Sequence, residues 1–322
     1  MIIGKASLVI IPSAASSDIQ RHHLVPSSDG AASSPATLLL LRLPCFFSGD
    51  PSSSPATLLL SPVAVVLPHS NRLGVQKLML FGSTLSLMGD CISFDITVED
   101  DCTAVLTTQA STKVYKSVAL KCSEQIMEAS IGNGGLLVVI PDPVTCFSTA
   151  KYSQKQVLRI MSGSSLLVVD WITSGRHESG EKWDFILYKS TNHIYIMETK
   201  PLFLDTVLLE NGNVTSIAER MQDYQVIAMV ILLGPKLKHI QNQIQEDVKK
   251  IMSEQLSMGG RTKAINGDGY TKPPLVASCN SFGPKGIGSV VRIAATTTES
   301  VYGFLRSQLA GLEPLSGLCP YH

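Results

Sequence analysis

Charge is scarce in this chain. Only 16% of its 322 residues are charged, and 26 Lys and Arg are balanced by 26 Asp and Glu, for a formal net charge of zero. A nucleic-acid binder carries a basic excess or stripe, so that class is set aside. Aromatic residues are 6%, a thin supply for a deep aromatic-lined ligand groove. No apolar run approaches the ~18 residues that a membrane span requires. The cysteines (Cys45, Cys91, Cys102, Cys122, Cys146, Cys279 and Cys319) are odd in number and lack a CxxC pair. That pattern excludes a disulfide framework and a structural zinc site, and it points to a reducing, cytoplasmic setting. GxSxG, HExxH, Walker A and complete GxGxxG motifs are all missing. Gly132-Asn-Gly-Gly135 and Gly286-Ile-Gly288 read as turns. Histidines stand at 22, 23, 69, 177, 193, 239 and 322 and form no His-x-His or His-x3-His pair, so a stable metal cage is not supported. No catalytic constellation emerges. The expectation is a binding or scaffolding protein, not an enzyme, without a tightly bound cofactor. Zero net charge favours association, which suits life inside a complex.

What the chain does have is apolar pattern. At 44% hydrophobic residues it is long enough to bury a sizeable core. Residues 1–75 differ from the rest, being rich in Ser, Ala, Pro and Leu, and SSPATLLL occurs twice, at Ser33–Leu40 and Ser53–Leu60. Two copies are too few for a stacked repeat, and recurrent prolines block long helices and sheet interiors. This segment is expected to lack structure, leaving 76–322 as one β-rich domain. Its Arg21 and Arg42 with few acids only faintly suggest a transit peptide, since no amphipathic basic helix accompanies them.

From Leu78 onward short strands alternate with turns. Ile92-Ser-Phe-Asp-Ile-Thr-Val98 alternates apolar and polar residues, the period of a half-buried strand. Glu99-Asp100-Asp101 then reads as a solvated turn rather than a metal site. Further strands are expected at Val114–Leu120, Gln125–Ile131, Leu136–Ile140, Gln156–Met161, Ser165–Trp171, Trp183–Lys189, His193–Glu198, Tyr224–Leu233 and Ile287–Ala295. The fold class is mainly β: stacked antiparallel or β-helix-like sheets with a few helices, the main ones in the C-terminal third. The clearest helix follows Pro235, where Leu237, Ile240, Ile244, Val248 and Ile251 recur at steps of three and four. Thr296-Thr-Thr-Glu299 matches a capping box ahead of a short helix.

Two stretches carry candidate chemistry. Thr103–Tyr115, TAVLTTQASTKVY, sets small hydroxyl and amide side chains between two apolar segments. It reads either as a turn satisfying its own backbone or as a backbone that something else approaches closely. Ser165–Trp183 holds the densest ionisable cluster. Asp170 is read at the end of an apolar strand beside Trp171, and Arg176, His177, Glu178 and Glu181 crowd a Gly-bounded hairpin. Arg176 pairing with Glu178 or Glu181 is one reading. The other is a partner-facing surface or a carboxylate route for a divalent cation, to which imidazole and carboxylate are both acceptable transient ligands. Cys146 reads as a buried small apolar residue.

Several segments, in order, resemble the urease accessory proteins of the D type, called H in some bacteria. They are GDCIS (Gly89–Ser93), LTTQASTKVY (Leu106–Tyr115), PDPVTCF (Pro141–Phe147), DWITSGRHESGEKW (Asp170–Trp183), GPKGIG (Gly283–Gly288) and VVRIAATTTESVY (Val290–Tyr302), the last two in the plant form. The family's glycine-rich segment reads FGSTLSLMGD at Phe81–Asp90 here, and its usual N-terminal strands are not recognisable before 78. The resemblance implies a mostly β, non-enzymatic scaffold or chaperone that binds F- and G-type accessory proteins and apo-urease. It further implies nickel in transit through an internal channel, with GTP handled by the G-type partner. It marks Thr107, Thr108, Gln109, Ser111, Lys113, Tyr115, Asp142, Trp171, Gly175, Arg176 and Gly180 as motif residues for partner binding or structure. It makes Asp170, His177 and Glu181 a candidate nickel route. Two other readings stand beside it: a β-rich ligand-binding module unrelated to urease, and a carboxylate-dependent hydrolase using Asp170 or Glu181.

Overall fold

A computed structural model describes residues 3–10, 76–80, 91–108, 110–117, 121–176, 179–197, 199–212, 215–261, 273–317 and 319–321. The strands are β1 (Ile3–Ile10), β2 (Gln76–Leu80), β3 (Cys91–Val98), β4 (Thr103–Thr108), β5 (Thr112–Val114), β6 (Ser123–Ile131), β7 (Leu136–Ile140) and β8 (Val144–Cys146). They continue as β9 (Lys151–Ile160), β10 (Ser165–Thr173), β11 (Leu187–Ile196), β12 (Lys200–Glu210), β13 (Val226–Leu233), β14 (Leu275–Phe282) and β15 (Gly288–Ala295). The helices are α1 (Ile217–Met221), α2 (Lys238–Arg261), α3 (Thr298–Gln308) and α4 (Glu313–Ser316).

The chain winds back and forth between two stacked sheets. Sheet A runs β1-β3-β6-β9-β11-β12, and sheet B runs β14-β15-β13-β10-β7-β4-β2, with β8 paired to β10 and β5 to β8. From β1 to β11 the neighbours in sheet A are parallel, as are β2, β4, β7 and β10 in sheet B. This is the β-helix-like arrangement. Antiparallel pairing is confined to β11–β12 and to β10–β13–β15–β14. Parallel order follows because the chain crosses to the opposite sheet and back between paired strands (β4 and β5, and β7 and β8, follow one another in sheet B before it crosses), so strands in one sheet are not joined by a hairpin until β11 and β12.

Those turns stack on one another. Gly132 N donates to Val98 O, Met161 N to Ile131 O, Leu136 N to Cys102 O and Ser165 N to Gly135 O. Asp100, in the exposed acidic turn, accepts from Asn133 N at 2.7 Å. Gly132 has no room for a side chain, since a Cβ there would meet Asp100 Oδ1 at 2.4 Å.

Three buried clusters result. One lies between the sheets and includes Phe94, Ile96, Met127, Leu158, Leu137, Val168 and Ile231. A second lies under the helices, where Leu237, Ile240, Ile244 and Val248 of the α2 region meet Leu167, Val169, Trp171 and Val230. A third closes the other end around Cys146, Tyr152, Trp183, Phe185 and Tyr188. All nine residues of β10 are buried, because both faces of this central strand are covered: even positions face sheet A and odd positions face the helices.

Some boundaries differ from expectation. Trp183–Lys189 and His193–Glu198 are not two strands but largely one, Leu187–Ile196. The expected strand at Val114–Leu120 gives way to Thr112–Val114. The last long helix is capped by Thr297, whose side chain accepts from Ser300 N, one residue later than the TTTE pattern suggested. The complete capping box is instead at Ser216 and Glu219. Ile3–Ile10 pairs with β3 as an edge strand of sheet A. The rest of the Ser/Pro-rich segment lies outside the described residues, as does Phe81–Asp90.

Leu167 is fully buried under α2. Leu167→Ala is expected to destabilise the chain by about 2–5 kcal/mol in urea denaturation. A loss under about 1 kcal/mol would show that the helix layer does not rest on β10.

Candidate functional site

Asp170 is not at the end of its strand. Trp171, Ile172 and Thr173 extend the ladder beyond it, paired with Ala228, Ile227 and Val226. Its even position points it between the sheets, where it is 7% exposed. A carboxylate there is stable only if its oxygens are satisfied. Sheet A supplies the donors. Gln154 Nε2 reaches Oδ1 at 2.6 Å, Asn192 Nδ2 reaches Oδ2 at 2.7 Å, Tyr188 OH reaches Oδ1 at 3.3 Å, and Ser190 Oγ donates to Oδ2. Burial pushes the carboxyl above its ordinary range, and the four donors oppose that shift.

Cross-strand register turns this contact into a polar layer. In sheet A, Met127, Gln156, Asn192 and Asp205 are direct neighbours across β6, β9, β11 and β12. In sheet B, Asp170, Met229, Arg292 and Ser278 are neighbours across β10, β13, β15 and β14. The rows meet at Asn192–Asp170 and again where Arg292 Nη2 donates to Asp205 Oδ1 at 2.7 Å. Asn192 must turn its amide nitrogen to the carboxylate, so its oxygen points away. Gln156 Oε1, Asn192 Oδ1 and Asp205 Oδ2 are buried and have no hydrogen-bond partner among the described residues. Beside the layer lies a cavity of about 410 Å³, lined by Asp170, Ile172, Tyr188, Val207, Ile227, Val276 and Arg292 among others.

The other expected residues fall elsewhere. Glu181 forms a two-point ion pair with Arg176, whose Nε donates to Oε2 at 3.1 Å and Nη2 to Oε1. That guanidinium holds the Glu181 carboxyl below its usual range. It also stands over the Phe147 ring at 4.2 Å, and Phe147 packs edge-on against Tyr115. Gly175 takes φ 127° and brings its backbone against Glu181, and Gly180 takes φ 75° in the turn. The hairpin is therefore salt-bridged, and Asp170 and Glu181 have separate partners. His177, Glu178 and Gln109 lie outside the described residues. Among the described residues no group of three or more His, Cys, Asp or Glu is placed to hold a metal ion. Cys146 is buried, and burial pushes its thiol up.

The Thr-rich motif is tied down rather than left open. Thr108 Oγ1 accepts from Asp142 N at 2.7 Å and lies 3.3 Å from Asp142 Oδ2. Asp142 Oδ1 accepts from Tyr302 OH at 2.8 Å. Pro141 O accepts from Trp171 Nε1 and from Tyr321 OH, and Trp171, Tyr302 and Tyr321 pack edge to face. Thr107 is the penultimate residue of β4, Ser111 is half-buried before β5, and Lys113 is exposed within β5. Pro141 and Asp142, through Trp171, Tyr302 and Tyr321, lock the C-terminal helix onto sheet B.

The sequence profile described as UreD urease accessory protein matches residues 85–318. The chain belongs to the UreD urease accessory protein family. A urease accessory protein D of Arabidopsis thaliana is 61% identical over 238 residues, 72% of this chain and 81% of that protein. A urease accessory protein D of Oryza sativa subsp. indica is 59% identical over 238 residues, 72% of this chain and 78% of that protein. A urease accessory protein UreD of Sorangium cellulosum is 32% identical over 262 residues, 81% of this chain and 76% of that protein. The matched region of this UreD chain begins before β3 and contains the whole polar layer.

Sequence reading singled out Asp170 but missed Gln154, Gln156, Tyr188, Ser190, Asn192, Asp205 and Arg292. A signal was available: Gln154 and Gln156 share parity with Tyr152, Leu158 and Ile160, and Ser190 and Asn192 with Tyr188 and Ile194. Polar residues on an inward face mark a layer that must be satisfied from across the core.

Asp170 carries a pH signature. Its folded value lies above the ordinary 3.8, so the folded chain binds this proton more tightly than the unfolded chain. Its contribution is present below the ordinary value and is lost as pH rises through the raised one. Asp170→Asn should flatten that falling limb in urea midpoints taken from about pH 4 to 8. An unchanged slope would mean that another group controls it.

Proposed function

We propose that this chain is a urease maturation factor: a non-catalytic scaffold that helps deliver nickel to apo-urease together with F- and G-type accessory proteins. GTP belongs to the G-type partner in this reading. The observation that carries it is the family match across residues 85–318. Relatives at 61% and 32% identity, from a plant and a bacterium, both bear the name urease accessory protein.

The geometry supports a scaffold in two ways. Asp170 and Glu181 are each engaged by their own partners, whereas a carboxylate-dependent hydrolase needs the pair facing one another across a cleft, roughly 5–9 Å apart. The buried polar layer suits a cargo that passes rather than stays. Asp170 supplies negative charge, the unpartnered oxygens of Gln156, Asn192 and Asp205 supply weak neutral and anionic ligands, and the described residues assemble no tight cage. Transit requires that kind of weak, multi-site binding. Glu181 is better read as the structural end of the hairpin than as part of the route. No helix among the described residues is long and apolar enough to cross a membrane. A cytoplasmic place of work is part of the proposal.

The test is urease maturation with wild-type chain, Asp170→Asn and Glu181→Gln, reading urease nickel content and partner co-purification together. Asp170→Asn should lower nickel content several-fold while the F- and G-type proteins still co-purify. Glu181→Gln, which breaks the Arg176 pair, should act on stability and partner retention first. Full nickel content in a stable Asp170→Asn chain would remove Asp170 from the route, and wild-type chain without effect on urease would sink the proposal.

A further inference from the structure

Among the described residues the polar layer contains one cation, Arg292. Among the residues lining the cavity, Arg292 is the only Lys or Arg. It reaches from β15 across the gap between the sheets to Asp205 on β12. Its side chain is 48% exposed, against 17% for Asp205, so the guanidinium has a solvent-side position to move to and the carboxylate does not. Arg292 engages Asp205 through Oδ1, leaving Oδ2 buried and unpartnered, with the orphan oxygens of Asn192 and Gln156 on the next strands of the row. Asn192 is 0% exposed and Gln156 7%. Asn192 and Asp205 oppose one another directly on antiparallel strands, where Cβ atoms lie about 4.5–5.5 Å apart, close enough for their oxygens to share one ion.

Such a row poses a problem for a delivery protein. Left uncompensated, the Asp205 carboxylate, with the Asn192 oxygen on the adjacent strand and the Gln156 oxygen one strand further on, would hold a divalent cation more tightly than transit allows. We propose that Arg292 is a displaceable internal counter-cation: it neutralises Asp205 while the row is empty, withdraws toward solvent when a hydrated divalent cation arrives, and returns to expel it. Arg292 thereby sets the row's affinity low enough for release. This inference rests on reading the chain as a nickel-delivery factor and adds the group that keeps nickel from being retained. A guanidinium suits the role because it stays charged at every physiological pH, so its competition with the incoming ion does not lapse.

The experiment is equilibrium dialysis of the full-length chain against nickel chloride, with thermal midpoints recorded for every variant. Arg292→Gln should bind nickel more tightly than wild type, by on the order of tenfold, because removal of a unit charge a few ångströms away strengthens cation binding. Arg292→Met keeps the stem's packing without the charge; it should match Arg292→Gln and serves in its place should the amide variant fail to fold. Arg292→Lys keeps the charge and should stay near wild type. Arg292→Gln combined with Asp205→Asn should return to wild-type affinity or weaker. Unchanged affinity in both neutral variants would overturn the proposal. So would tightening that survives Asp205→Asn, or Arg292→Lys tightening as much as Arg292→Gln. The dialysis contains no urease, so it stands or falls apart from the maturation assay. A chain that fails to support urease maturation yet tightens on Arg292→Gln would keep the counter-cation and lose the delivery role.

Discussion

One buried carboxylate constrains how the two sheets must meet. Asp170 lies on the most enclosed strand, and its charge is tolerable only because Gln154, Tyr188, Ser190 and Asn192 converge on it from two strands of the opposite sheet. A slip of one residue in β10 would send Asp170 under the helices and Trp171 between the sheets. The first move would bury an unsatisfied charge, and the second would break the Trp171–Pro141 hydrogen bond and the aromatic contacts with Tyr302 and Tyr321. Purely apolar sheets can slide against one another with little penalty. This contact cannot, so it fixes register as well as position.

The rest of the fold divides its labour around that contact. The parallel strands β1 to β11, with their stacked turns, form a regular framework whose apolar residues pair with like residues on the next coil. The antiparallel strands β13, β15 and β14 extend sheet B at its edge, and α2 and α3 cover its outer face. Pro141 and Asp142 fasten the cover through Trp171, Tyr302 and Tyr321. Thr108 ties the same loop back to the Thr-rich motif. Residues that resemble a partner surface in sequence are thus also the fastening between framework and cover. The polar layer lies between the two sheets, between the apolar cluster of Phe94, Leu158 and Val168 and the one around Tyr152 and Trp183. A layer of charge and amide groups there interrupts the core at one level and leaves oxygen ligands facing inward.

The sequence by itself determined most of the strand inventory, the long helix after Pro235 and the acidic turn, because each is written in local periodicity or turn chemistry. It offered an ion pair of Arg176 with Glu178 or Glu181 as one of two readings of the hairpin, the structure showing Glu181 as a partner, and it carried enough ordered motifs to indicate the family. It singled out Asp170, since a lone acid in an apolar run is conspicuous in a chain so poor in charge. Tertiary structure decided what local pattern cannot encode. Parallel pairing between successive coils depends on strands that are distant in sequence. The edge strand at Ile3–Ile10 depends on β3, more than eighty residues away. The four donors to Asp170 are 16 to 22 residues distant, and Asp205 and Arg292 are separated by 87. Each of those side chains looks like ordinary strand polarity in sequence, and only the stacking of two sheets in one register turns them inward toward the same layer.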